Sequence, residues 1–370
     1  MEKIKLGNCA TYINGYAFKP TDWKKSGIPI IRIQDLTKSN SNPNYYDGKL
    51  DEKYIIKNGD VLISWSGSLG VYEWNGDIAY LNQHIFKVKF DKKEINKNYF
   101  IYLVESKIHE MLKNVHGSTM KHITKSNFDN IDINLHTIDE QEEIAKKITT
   151  VKDVINIRKE QLENLERLIK SQFVELFGNI SEYQRLEDYS VLITKGASPK
   201  WQGINYQNDG TLFVTSENVR EGFVDISKPK YLDNKINEIL PRSILKRDDI
   251  LINIVGASIG RAAKYDYDYL ANINQAVALV RTQNINNIFL LTYLNSDEAI
   301  KMYDDMKKGG ARENLSLKNI ADLRIPKAPM ELQNQFAEFV KLIDKQKFEI
   351  QKSLDEMQNL YESLMDQYFG

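Results

Sequence analysis

Cysteine is almost missing from this chain: Cys9 is the only one in 370 residues. A single thiol excludes an internal disulfide framework and a cysteine-rich zinc site, and it fits a reduced, cytoplasmic setting. As a small apolar side chain, Cys9 is expected to be buried rather than catalytic. Long hydrophobic runs are missing as well. No stretch approaches the roughly 18 apolar residues of a membrane span, and residues 1–6 run straight into folded sequence without a signal-peptide pattern. Neither sign of charge is in excess. Lys and Arg number 50 against 51 Asp and Glu, for a net charge of -1, so no global basic field announces a polyanionic partner.

Catalytic signatures are missing too. There is no Gly-x4-Gly-Lys-Ser/Thr phosphate loop, no Gly-x-Gly-x-x-Gly after a strand and no His-Glu-x-x-His. Ser66-Gly-Ser-Leu-Gly70 has the wrong spacing for a nucleophile elbow. The five histidines, His84, His109, His116, His122 and His136, are scattered singly, so no metal set is expected. Asn42-Pro43-Asn44-Tyr45 resembles the Asn-Pro-Pro-Tyr motif of adenine methyltransferases, but it has Asn for the second proline and no glycine-rich cofactor motif upstream. Neither a cofactor nor catalytic residues are expected.

What is present is repetition. From Ile144 the apolar positions advance in alternating steps of four and three: Ile148, Val151, Ile155, Arg158, Leu162, Leu165, Ile169, Gln172, Leu176. That spacing is a coiled-coil seam rather than a merely amphipathic face. Adding 192 gives a second seam without a gap: Phe336, Val340, Ile343, Lys347, Ile350, Leu354, Met357, Tyr361, Leu364, Tyr368. Arg158 and Lys347 interrupt adjacent heptad layers. Polar seam residues of this kind fix register at some cost in stability, or their stems snorkel to water. Thr137 and Glu140 have capping-box spacing at the first helix start, where hydroxyl and carboxylate satisfy free N–H groups. Gly178 is placed as a C-terminal cap, and Pro329 sits near the first turn of the second helix.

The segments before each helix are rich in strand and turn signals. Residues 28–36 and 82–88 are expected as strands, and residues 60–65 form another after the turn residues Asn58-Gly59. Residues 98–113 have helical spacing at Phe100, Leu103, Val104, Ile108, Met111 and Leu112. Residues 38–44 are a polar loop. These segments also repeat, more loosely. Asp60-Val-Leu-Ile matches Asp249-Ile-Leu-Ile, Asn82-Gln83 matches Asn274-Gln275, and Ile123-Thr-Lys-Ser-Asn-Phe128 matches Leu315-Ser-Leu-Lys-Asn-Ile320. The offset drifts from about 180 at the module starts to 192. The frame repeats while the loops differ.

The resulting expectation is an α+β chain: β-rich domains at 1–138 and 179–328, separated by long antiparallel coiled-coil helices at 139–178 and 329–370. Charge follows the same division. Residues 1–138 hold 19 basic against 15 acidic side chains and residues 179–328 hold 20 against 19. The helical segments hold 7 against 9 and 4 against 8. Basic patches on the domains and acidic rods fit a polyanion held by the domains.

Candidate contacts lie in loops of small and basic residues. Ser66 and Ser68 sit in the glycine-bounded loop after the first Asp-x-Leu-Ile strand, and Ser258 and Arg261 sit in its counterpart, Gly256-Ala-Ser-Ile-Gly-Arg261. A second loop pair carries Lys121 and His122 in one copy and Lys307, Lys308 and Arg312 in the other. A third cluster is Lys200-Trp201-Gln202, with Tyr16, Lys24 and Lys25 in the corresponding part of the first module. Lys and Arg suit phosphates, while Arg, Asn and Gln can read base edges.

These features together resemble the specificity subunits of Type I restriction–modification systems. The resemblance rests on Gly117-Ser-Thr…Ile123-Thr…Ile131-Asp-Ile133 followed by Glu140-Gln-Glu-Glu-Ile-Ala145. It rests equally on Gly309-Gly-Ala…Leu315-Ser…Leu323-Arg-Ile-Pro326 followed by Leu332-Gln-Asn-Gln-Phe-Ala337. Asn134-Leu-His-Thr137 lacks the prolines that this family often has there. The resemblance implies two target recognition domains, each reading one half of a split, asymmetric target in double-stranded DNA. It also implies a helical spacer and a subunit without chemistry of its own. Two methyltransferase subunits would dock to methylate adenine with S-adenosylmethionine, and motor-nuclease subunits would cleave. A rod of about 38 helical residues is about 57 Å long, enough to bridge groove segments one to two turns of about 34 Å apart. Three other readings have distinct signatures: a specificity subunit of a fused-nuclease system, a coiled-coil scaffold whose modules bind protein, or a stand-alone enzyme.

Overall fold

The computed structural model describes residues 1–37, 42–114, 124–307 and 314–370, with the backbone alone for 110–114. The chain divides into two compact units. The first comprises residues 1–159 and 352–370, and the second residues 160–351. Each of the two 40-residue helices, Ile138–Phe177 and Met330–Phe369, therefore contributes to both units.

In the first unit, Glu2–Lys5 pairs antiparallel with Asp132–Leu135 just before the long helix starts. A four-stranded antiparallel sheet runs in the order Thr11–Asn14, Ile85–Lys89, Val61–Ser64, Gly70–Glu73. A second sheet runs Asn44–Tyr46, Ile28–Ile31, Ala79–Leu81, Ile55–Ile56, and its Ile28–Ile31 and Ala79–Leu81 strands are parallel. Helix Lys97–Asn114 covers the first sheet, burying Phe100, Leu103, Val104 and Ile108. Each such side chain is worth about 1.5–3 kcal/mol of burial.

The second unit repeats this plan. Tyr183–Arg185 pairs with Arg324–Pro326. A five-stranded sheet runs Ser190–Lys195, Val277–Thr282, Ile250–Asn253, Ala262–Lys264, Gly222–Phe223. The other sheet runs Tyr206–Gln207, Tyr231–Leu232, Thr211–Val214, Ala271–Ile273, again with one parallel pair, Thr211–Val214 beside Ala271–Ile273. The close approaches recur as well. A Cβ on Gly15 would collide with the Asn82 carbonyl, and one on Gly196 with the Ile273 carbonyl. Only glycine fits where the entering strand crosses this turn.

One clip recurs, its glutamine and carbonyl residues offset by 192 and its asparagine by 190. Buried Gln141 accepts the Asn96 N–H and donates to the His136 carbonyl, both at 2.9 Å. Buried Gln333 accepts the Asn286 N–H and donates to the Ala328 carbonyl, also at 2.9 Å. Asn96 and Asn286 in turn cap the helices that follow them. Each glutamine thus ties the start of a long helix to the start of a domain helix and satisfies otherwise orphaned backbone groups.

In both units the beginning of one long helix packs against the end of the other, so they run antiparallel there. Ile144, Ala145 and Ile148 share a core with Tyr361, Leu364, Met365 and Phe369. Phe173 and Phe177 meet Phe336, with ring centroids 5.3 and 5.6 Å away. The seam positions Ile148, Val151, Ile155, Val340, Ile343 and Leu354 are buried, and Leu162, Leu165, Ile169, Ile350, Met357 and Tyr361 are half-buried. Lys347 is half-buried and reaches Glu166, 3.4 Å away, from the opposite helix.

Several local expectations need correction. The run 28–36 is not all strand. It ends at Ile31, and Ile33–Thr37 is a helical turn opened by Asp35, whose carboxylate accepts the Arg32 N–H at 2.8 Å. The strand expected from Asn82 starts at Ile85, because residues 82–84 form a turn with His84 at φ 73°. At the first long helix, the Glu140 carboxylate accepts the Thr137 N–H at 2.9 Å, as a capping box requires. The Thr137 hydroxyl, however, also donates to that carboxylate instead of capping the backbone. Gly178 is not left-handed. It is excluded from substitution by a close approach to the Val174 carbonyl. The polar loop 38–44 gives way to a strand at Asn44, and its residues 38–41 lie outside the described residues.

Candidate nucleic-acid interface

Each unit presents a loop after its central strand, and the strand itself fixes that loop. In the first unit Asp60 accepts the Lys57 N–H at 2.8 Å and pairs with Lys87 at 2.9 Å. In the second, Asp249 accepts the Lys246 N–H at 2.7 Å and binds Arg281 through both Nε and Nη2, at 2.8 and 2.7 Å. At the strand ends, Ser64 donates to the Ser68 and Gly70 carbonyls. The equivalent Asn253 donates from Nδ2 to the Ser216 carbonyl and to Ser258 Oγ, both at 3.0 Å. Both loops open on a left-handed glycine, Gly67 at φ 69° and Gly256 at φ 81°.

Ser66 is half-buried and Ser68 exposed on the first of these loops. On the second, Ser258 and Arg261 line a cleft of about 630 Å³. Its opposite wall is the segment from Ser216 to Lys230, which supplies Arg220, Lys228 and Lys230 together with Glu217 and Asp225. The sequence reading missed these three basic residues. They reach Arg261 because Gly222–Phe223 pairs parallel with Ala263–Lys264, a non-local contact with no sequence pattern. The only local signal was the turn-rich stretch holding Arg220 and Lys228-Pro229-Lys230. Hydrogen bonds from Lys230 hold the Glu217 carboxyl below the usual range, and those from Ser227 do the same for Asp225, so both are ionised at neutral pH.

The other candidates are distributed as follows. Lys200, Trp201 and Gln202 form a 3-10 turn started by buried Pro199, and Trp201 is 83% exposed there. The counterpart turn, Pro20–Asp22, precedes Trp23, Lys24 and Lys25, and both lysines are exposed. The Arg32 guanidinium lies 5.9 Å from the Trp23 ring. Tyr16 is half-buried, edge-on to Phe18 and Tyr54 at 4.9 and 5.4 Å. Lys307 ends helix Asp297–Lys307, with Asp304 at 2.8 Å. Lys121, His122, Lys308 and Arg312 lie outside the described residues.

Cys9 is fully buried, and burial pushes its thiol up to about 11, so it is no thiolate nucleophile at neutral pH. Among the described residues, no group of three or more His, Cys, Asp or Glu could hold a metal. No described helix is long and apolar enough to cross a membrane.

Two copies of one mixed helix-and-strand unit, each bearing a loop fixed by its central strand, define a doubled module. The profile of the Type I restriction modification DNA specificity domain matches this chain twice, over residues 1–167 and 203–357, and the chain belongs to that family. It is 25% identical over 404 residues to the Type I restriction enzyme EcoBI specificity subunit of Escherichia coli, an alignment covering 99% of this chain and 85% of the relative. It is 24% identical to the MjaVIII specificity subunit of Methanocaldococcus jannaschii, covering 97% and 91%. Among solved structures, the S subunit of a Type I restriction–modification system from M. genitalium superposes with a TM-score of 0.61 at 16% identity, covering 100% of this chain and 96% of that one. A chain from a structure describing assembly and conformational transition of the Type I system gives a TM-score of 0.62 at 16% identity, covering 100% and 97%. At that identity these likenesses establish the shared fold.

Proposed function

We propose that this chain is the DNA-reading, non-catalytic subunit of a Type I restriction–modification assembly. One reader comprises residues 1–138 and the other residues 179–328, and each takes one half of a split, asymmetric target in double-stranded DNA. The helical segments 139–178 and 329–370 act as an antiparallel coiled-coil spacer. Two methyltransferase subunits and the motor-nuclease subunits dock on this frame. The observation that carries the reading is the doubled family match on a frame repeated down to single hydrogen bonds, with loops that are not repeated.

Lysines and arginines of the loops neutralise phosphates and set position, and other side chains read base edges. With a net charge of -1 the chain alone binds DNA weakly, and methyltransferase subunits complete the clamp. A fluorescence titration at fixed salt tests this. Adding the methyltransferase subunits is expected to tighten binding strongly, and equal affinity with and without them contradicts the proposal.

A further inference from the structure

The cleft of the second unit is unusual in its balance of donors and acceptors. Both of its carboxylates are already engaged: Asp225 lies 3.5 Å from Arg220, and Glu217 lies 2.9 Å from Lys230. Arg261 and Lys228 have no hydrogen-bond or ion-pair partner for their side-chain cations among the described residues, so the cleft carries about two uncompensated positive charges. Ser258 Oγ accepts from Asn253, which leaves its hydroxyl proton to be donated outward. The two unpaired cations and the outward Ser258 hydroxyl are therefore donors open to a ligand.

Arg261 is also held in place. Its N–H donates to the Ser258 carbonyl at 3.2 Å, and its carbonyl accepts the Asn253 N–H at 2.9 Å. The next residue, Ala262, is gripped by Asn295, whose side chain accepts its N–H and donates to its carbonyl, both at 3.0 Å. A fixed backbone confines the positions that the guanidinium can reach.

We infer that Arg261 reads a guanine in the half-site of the second unit, with exposed Lys228 on a nearby phosphate. In the major groove, guanine offers two acceptors, O6 and N7, that match a forked guanidinium. Among the described residues, the first unit has no arginine at the equivalent position. Its strand Val61–Ser64 sets Gly70 opposite Ser64, where the second unit sets Arg261 beside Asn253. The inference rests on the DNA-reading role proposed above and assigns one base contact within it.

The test uses the full chain assembled with its methyltransferase subunits. Methylome sequencing of a host carrying the system first gives the target. Competition among duplexes carrying each base pair at each target position then gives the discrimination. In Arg261→Ala, preference for one G·C pair is expected to fall about 5- to 150-fold, in one half-site only. Arg261→Gln keeps much of the stem but replaces the guanidinium with an amide that suits adenine, so it is expected to shift the preference at that pair from G·C towards A·T, and it covers the case in which the alanine variant fails to fold. Lys228→Gln is expected to weaken binding to all duplexes alike and to lower the salt slope by about one. Unchanged base preference in folded Arg261→Gln, or a target with no G·C pair in the half-site read by the second unit, overturns the guanine assignment alone. A wild-type assembly that selects no sequence overturns both this assignment and the DNA-reading role.

Discussion

The two units solve one problem with different margins. In the first, the carboxylate that braces the central strand, Asp60, is 24% exposed and meets a lysine. In the second, Asp249 is 1% exposed and meets both nitrogens of an arginine fork. The clips at the starts of the long helices instead have the same 2.9 Å distances in both units. Where the units join the long helices they share the same glutamine hydrogen bonds, and where they carry loops they have diverged in chemistry. The contacts to the long helices are held constant, and the loops are not.

The largest expected effect breaks this comparison at its most unequal point. Asp249→Ala leaves a mostly buried arginine unpaired and the Lys246 N–H unmet, at a cost of about 3–5 kcal/mol. Asp60→Ala removes a part-exposed pair and one hydrogen bond, costing about 1–2 kcal/mol. Hydrogen exchange of strands Ile250–Asn253 and Val61–Ser64 reads the two losses separately, and equal losses contradict the difference in burial.

The next test concerns the part that is shared. Gln141→Ala and Gln333→Ala each remove two hydrogen bonds and strand a buried amide, at about 1–3 kcal/mol each. Chemical denaturation is expected to give matching losses. A strongly unequal pair means that the clips do not carry equal weight.

The smallest effect is a pH dependence confined to one unit. Tyr99 Oη and His136 Nδ1 share a hydrogen bond at 2.8 Å, and burial holds this imidazole below the ordinary histidine range. The unfolded chain then binds the proton at a higher pH than the folded one, so the first unit loses stability as pH falls through about 6.5 and below. Residue 328, the counterpart 192 positions on, is Ala, and residues 160–351 contain no histidine. Unfolding followed between pH 8 and 5 is expected to show a slope in the first unit that His136→Asn reduces. A matching slope near pH 6.5 in the second unit contradicts the assignment.

The sequence was most legible where structure is periodic. The 3.5-residue seam located both long helices to within a residue or two, because every heptad repeats the same constraint. The Asp-x-Leu-Ile strands were equally plain. Short-range chemistry was harder to read. Apolar residues on either side of Arg32 look like a strand until Asp35 caps the turn, and Asn82-Gln83-His84 belongs to a turn that only a left-handed His84 reveals. The cleft in the second unit was least legible. Arg261 was visible as a loop cation, but Arg220, Lys228 and Lys230 join it through a parallel strand pairing about 40 residues away in sequence, which no local pattern encodes. Gln141 and Gln333 stood in plain view at the repeat offset, yet a lone glutamine on a helix ordinarily faces water.

The central claim is that one frame carries two independent readers, and exchange of a single reader tests it most directly. Residues 1–138 are replaced by the corresponding segment of a relative with a different target, and the modified motif is read by methylome sequencing in a host that supplies the methyltransferase subunits. The account predicts one altered half-site, with the other half-site and the spacing between them unchanged. A motif altered in both halves would contradict it.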